Sequence, residues 1–109
     1  MIVLVMGVAG SGKSTIGAAV AARLGWRFVD ADEYHSIESI AKLRAGVPLT
    51  DEDRQPWLER LASLVADARR RGESLVLACS ALRRAYRDLL LGGRREDVLI
   101  AYLAADASL

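Results

Sequence analysis

The chain has 109 residues, a formal net charge of +1 and one cysteine, Cys79. That length suits one small domain, and the balanced charge argues against a dedicated nucleic-acid binder, which would show a strong basic excess. A single cysteine excludes an intramolecular disulfide and fits a reducing, cytoplasmic setting.

The first element in chain order is the apolar run Ile2 to Met6, rich in β-branched residues. It reads as a strand buried on both faces, as in parallel sheets. The run IVLVMGVA is short, has no basic stretch before it and leads straight into glycines, so neither a secretory signal nor a membrane partner is expected. Lys13 to Leu24 is Ala-rich with apolar residues at helical spacing, and Gly25 stops it. Trp26 to Val29 reads as a second strand, followed by Asp30, Ala31 and Asp32. His35 to Ala45 reads as a helix ending at Gly46. Thr50 is the expected N-cap of the next helix, with Asp53 three residues on in the manner of a capping box. Pro56 is expected to restart that helix at an early position, and the helix runs to Arg71 with Leu58, Leu61, Val65 and Ala68 on one face. Arg69, Arg70 and Arg71 read as a solvated helix end that complements the helix dipole. Leu75 to Ala78 is a third strand, Ala81 to Leu91 a helix closed by Gly92 and Gly93, and Val98 to Leu103 a fourth strand. Strands alternating with helices imply right-handed crossovers and a parallel sheet, in an α/β fold whose strand order the sequence does not reveal.

The chemistry begins at GVAGSGKST, Gly7 to Thr15. Gly7, Gly12, Lys13 and Ser14 match GxxxxGK[ST], placed as the motif requires between a strand and a helix. Glycines let the backbone wrap phosphate oxygens, their amides form a nest, and the helix N-terminus adds partial positive charge. The loop Gly7, Val8, Ala9, Gly10, Ser11, Gly12, Lys13, Ser14 and Thr15 is therefore expected to hold a nucleotide polyphosphate. Lys13 would reach the β- and γ-phosphates, and Ser14 would ligate Mg²⁺. Motor ATPases usually end the third strand with an acid, whereas here Cys79 and Ser80 stand there. The acids follow the second strand instead. Asp30 and Asp32, two positions apart, can divide two tasks: holding the metal's water and accepting a proton from an attacking hydroxyl. That arrangement favours a small-molecule kinase over a motor ATPase. Cys79 and Trp57 read as core residues.

Four segments in order, GVAGSGKST, DADEYH, KLRAGVPLTDEDRQPWL and ACSALRRAYRDLL, resemble the bacterial-type gluconokinases. The resemblance runs from Met1 to about Leu103. It implies a P-loop NTPase-type parallel sheet and ATP-dependent phosphorylation of D-gluconate at its 6-hydroxyl. It places ATP on Gly7 to Thr15, Asp30 at the metal and Asp32 at the acceptor hydroxyl, with His35, Lys42, Arg54 and Arg87 in the sugar-acid pocket. It also implies a homodimer. The family pattern is HPxxN followed by KM. This chain has HSIES and KL, so that Ser36, Ser39 and Leu43 replace the proline, asparagine and methionine, with a looser helix start and a shorter hydrogen-bonding reach expected. Family members continue into an arginine-bearing lid, a final strand and a closing helix, so residues 1–109 are expected to be one P-loop kinase domain incomplete at its C-terminus. The residues leave two other functions open: a kinase of a shikimate-like or nucleoside monophosphate acceptor, and a catalytically silent ATP-binding fragment.

Overall fold

The computed structural model describes residues 1–7, 12–80 and 83–103. Five consecutive buried residues form β1 (Ile2–Met6), and five more form β3 (Leu75–Cys79). Neither alternates polar with apolar positions, because helices cover the sheet on both faces around them. β2 (Arg27–Asp30) and β4 (Val98–Tyr102) are more exposed and complete a parallel sheet ordered β2-β3-β1-β4. In register, Met6 pairs with both Cys79 and Tyr102, and Asp30 pairs with Ala78. All four strands therefore end at the same edge. In open parallel sheets, ligands bind beyond the carboxyl ends, where crossovers diverge. Here that point lies between β1 and β3.

Alternate residues of β1 feed two cores. Ile2, Leu4 and Met6 pack with Leu75, Leu77 and Cys79 against Trp57, Leu58, Leu61 and Val65 of α3 (Asp51–Arg70) and Leu90 and Leu91 of α4 (Arg84–Leu91). Val3, Val5 and Val76 pack on the opposite face with Ala21 of α1 (Lys13–Leu24). α1 comes close to β2 and β3 because Gly17 has no side chain. A Cβ there would sit 2.8 Å from a ring carbon of Phe28.

The second strand is shifted one residue later than the sequence pattern predicts, since Asp30 still pairs with β3. A 3-10 turn, Ala31–Tyr34, follows it before α2 (Ile37–Arg44). The helix expected from His35 starts later, because Ser36 caps it by accepting the Ser39 N–H at 3.1 Å. The serine that replaces the family's proline thus ends the chain's extended run with a side-chain cap. The predicted capping box on α3 is present, with Thr50 and Asp53 each accepting the other's backbone N–H. Pro56 does not restart that helix, which begins at Asp51 and passes through it. The proline is exposed, so the Glu52 carbonyl it leaves without an N–H can be met by water. Thr50 already fixes the first turn.

Arg69 departs from the expected solvated helix end. Only 15% of its side chain is exposed. Its guanidinium donates to both Asp97 oxygens, at 3.0 and 2.9 Å, and to the carbonyls of Leu91 and Arg94. It clamps the end of α3 to the segment between α4 and β4. Among the described residues, no helix is long and apolar enough to cross a membrane.

Candidate active site

The site is assembled at the carboxyl edge of the sheet. Gly7 follows β1 and is buried, and Gly12 enters α1 at φ 84°, a left-handed conformation open to glycine at little cost. Val8, Ala9, Gly10 and Ser11 lie outside the described residues. Thr15 is exposed on the first turn of α1. Lys13 is only 6% exposed although it carries a charge, and it lines a cavity of about 460 Å³. An ammonium withdrawn from water calls for anionic company, and a phosphate beside the loop would supply it.

Ser14 and Asp30 are joined across the gap from α1 to β2. The Ser14 hydroxyl donates to one Asp30 oxygen at 2.8 Å. The other Asp30 oxygen accepts the Asp32 N–H at 3.0 Å. One carboxylate therefore fixes both the hydroxyl expected at Mg²⁺ and the backbone that carries Asp32. No group of three or more His, Cys, Asp or Glu side chains that could hold a metal occurs among the described residues. A hydroxyl beside one carboxylate fits Mg²⁺, which keeps most of its waters and takes few protein ligands when phosphates complete its shell.

The cavity brings Lys13 together with Asp32 and His35 from the segment after β2, and Ser80 from the end of β3. α3 supplies Arg54 and Trp57, and Arg83 and Tyr86 come from the start of α4. Ile40, Leu43 and Leu49 form its apolar lining. Trp57 donates its indole N–H to the Ala31 carbonyl at 2.7 Å and stacks on the His35 ring, with centroids 4.3 Å apart. It is both a core anchor and a wall of the cavity. Partial burial against this wall lowers the His35 pKa below 6.5, opposed by Asp32 and assisted by Arg54 and Arg60, so the ring is neutral at pH 7.

Two of the residues expected in the pocket are placed elsewhere. Lys42 points its ammonium at both oxygens of Asp53, each at 2.9 Å, and is not among the cavity-lining residues described. Arg87 lies half-buried one turn beyond Arg83 on α4, also outside that lining. Ser39, in the place of the family asparagine, is buried and likewise absent from the lining. Conversely, Ser80, Arg83 and Tyr86 line the cavity without having been singled out in the sequence. The signal available for two of them was their i, i+3 spacing in RRAY, which puts them on one helical face.

A parallel sheet with a glycine loop after its central strand, a buried lysine and a hydroxyl–carboxylate pair defines an α/β chain of the P-loop kinase fold. A family model described as an AAA domain matches residues 2–109. A probable gluconokinase of Mus musculus is 54% identical over 92 residues, covering 84% of this chain and 50% of that protein. Among solved structures, an unliganded sugar kinase from Janibacter sp. HTCC2649 superposes with TM-score 0.85 at 48% identity, covering 94% of this chain and 58% of the other. A gluconokinase from Sinorhizobium meliloti 1021 superposes with TM-score 0.82 at 41% identity, covering 92% and 55%. The chain belongs to the AAA-domain family of the matched model, and its resemblance to the gluconokinases is borne out. It spans about half the length of the curated relatives it matches.

Proposed function

We propose that this chain contributes the nucleotide- and acceptor-binding site of an ATP-dependent kinase that phosphorylates D-gluconate to 6-phospho-D-gluconate. The observation that carries the reading is that one cavity is lined both by Lys13 and Asp32 and by Arg54 and Arg83. A phosphate donor and an anionic polyol acceptor need those two ends in one space. The names of the relatives support gluconate as the acceptor.

In this reading Gly7 to Thr15 wrap the phosphates and Lys13 bears on the transferring group. Ser14 and Asp30 would hold Mg²⁺, which would supply positive charge to offset that of the phosphates. Asp32 lies against the acceptor hydroxyl, orients it and accepts its proton as the oxygen–phosphorus bond forms and ADP departs. Neutral His35, held flat by Trp57, can donate or accept a hydrogen bond with the acceptor's hydroxyls. Arg54 meets the acid's negative charge. Lys42, through Asp53, positions the start of α3 and hence Arg54, and Arg87 supports the α4 wall.

The test is ADP release by the purified chain with Mg-ATP, with and without D-gluconate, alongside calorimetric titration of each ligand. Saturable Mg-ATP binding and gluconate-dependent ADP are the expected results. Nucleotide binding with no response to gluconate, but with turnover of shikimate or a nucleoside monophosphate, would replace the acceptor. Binding of ATP with no acceptor-dependent turnover would favour the silent nucleotide-binding alternative.

A further inference from the structure

Where α3 and α4 meet at the cavity, one carboxylate oxygen faces a phenol and two guanidiniums, and Arg54 also donates to the Tyr86 hydroxyl at 3.3 Å. The Tyr86 hydroxyl donates to Asp51 Oδ1. Arg83 reaches the same oxygen at 3.3 Å and Arg54 lies 3.9 Å from it. Both guanidiniums also lie over the Tyr86 ring, 5.5 Å from its centroid for Arg83 and 5.8 Å for Arg54. Two guanidiniums and a phenol converging on one oxygen are a carboxylate-binding set. Arg54, Arg83 and Tyr86 all line the cavity, whereas Asp51 is not among the lining residues described. The donors thus face the cavity while their present acceptor reaches them from outside it.

Asp51 has no part in the cap of its own helix, which Thr50 and Asp53 form between them. Its side chain is 71% exposed and that of Arg83 is 67% exposed, so solvent screens the pair and the contact is weakly held. A weak carboxylate contact is one that a second carboxylate can take over.

We propose that Arg54, Arg83 and Tyr86 form the carboxylate-binding end of the acceptor site. Asp51 occupies that end as a resident carboxylate until the carboxylate of the acid displaces it. This rests on the sugar-acid kinase reading for its ligand, and it adds two residues, Arg83 and Tyr86, and a built-in competitor. Selection of an aldonate over a neutral polyol then comes from this corner, because a neutral ligand can offer nothing that outbids Asp51.

The experiment is calorimetric titration of the full chain with D-gluconate and with D-glucitol, the same polyol without a carboxylate, in the wild type, Arg83→Gln and Asp51→Asn. Mg-ATP affinity serves as the check on folding. Arg83→Gln should weaken gluconate about tenfold or more, the usual consequence of losing a charge-assisted hydrogen bond, and shift glucitol and Mg-ATP by no more than about twofold. Asp51→Asn should do the opposite and tighten gluconate severalfold. A merely structural Asp51 predicts weaker binding in that variant, and this result would overturn the proposal. So would equal losses of gluconate and glucitol in Arg83→Gln, or a wild-type chain that binds no carboxylate. Gluconate turnover insensitive to both substitutions would sink the anion corner and leave the proposed function standing. Shikimate binding with the same dependence on Arg83 and Asp51, in a chain indifferent to gluconate, would sink the function and leave the corner.

Discussion

At the residue scale the site depends on what burial does to individual polar groups. Lys13 is nearly sealed from water, an arrangement that makes sense with phosphate beside it. Lys13→Ala is expected to lower phosphoryl transfer by at least about 10³-fold and to weaken Mg-ATP binding strongly, since charge neutralisation and alignment carry most of such catalysis. Unchanged ATP affinity by calorimetry would remove the lysine from the phosphate site. Asp32 is a different case. It is exposed, and the structure fixes only its backbone, through Asp30. Asp32→Asn should therefore leave Mg-ATP affinity within about twofold and slow transfer by about 10²–10⁴-fold, the range of a lost general base. Steady-state rates at saturating ATP check this, and a loss of nucleotide binding instead would place Asp32 on the wrong side of the reaction.

At the element scale, helices are placed by a few polar clamps. Lys42 of α2 holds Asp53 of α3, and Asp53 is also half of the capping box. The hydrogen bond from Lys42 is the first cause, and the Thr50 backbone N–H the second, of an Asp53 pKa lowered from 3.8 to about 2. Because the folded value lies below the unfolded one, the stabilisation is present above about pH 4 and is lost as pH falls through about 2. Lys42→Met removes the larger cause. Its stability deficit against the wild type should be full at neutral pH and shrink between pH 4 and 2, as followed by thermal melts across that range. A deficit constant with pH would show that packing, not the ion pair, is what the substitution removes. Arg69 clamps the other end of α3. Arg69→Met removes the hydrogen bonds that Asp97 and two carbonyls accept from the guanidinium, and should cost about 2 kcal/mol in denaturant unfolding, at the level of hydrogen bonds to charged groups. A change below about 0.5 kcal/mol, the size of an ordinary surface substitution, would return Arg69 to the solvated helix end that its sequence suggests.

At the scale of the whole molecule, the sheet is covered unevenly. α3 and α4 lie on one face, while α1 lies on the other, against β1, β2 and β3. β4 pairs only with β1 among the described residues, and Leu99, level with Val3 on the α1 face, is 56% exposed. An edge strand with an exposed apolar face invites association, and lysine at such a position opposes it. Leu99→Lys is expected to reduce self-association in light scattering while changing stability by less than about 0.5 kcal/mol, as surface substitutions do. A large fall in thermal midpoint would mean that something covers this face in solution.

The sequence by itself determined the elements and the loop. Ile2 to Met6 could be nothing but a buried strand, since an unbroken β-branched run has no polar face to offer water. GxxxxGK[ST] pointed to a phosphate end because the chemistry of that motif lies in local backbone shape. Thr50 and Asp53 announced α3 through contacts three residues apart. Local physics failed where partners come from far along the chain. Arg69 looked solvated because Asp97 is invisible from the end of α3. Lys42 was expected at the acceptor, and only the packing of α2 on the start of α3 shows its ammonium on Asp53. Arg83 and Tyr86 became part of a cavity because β3, running beside β1, delivers α4 against α3. Strand order, and with it the company each charged side chain keeps, is a property of the folded whole. The periodicity of a sequence records which face of an element is buried, but not what buries it.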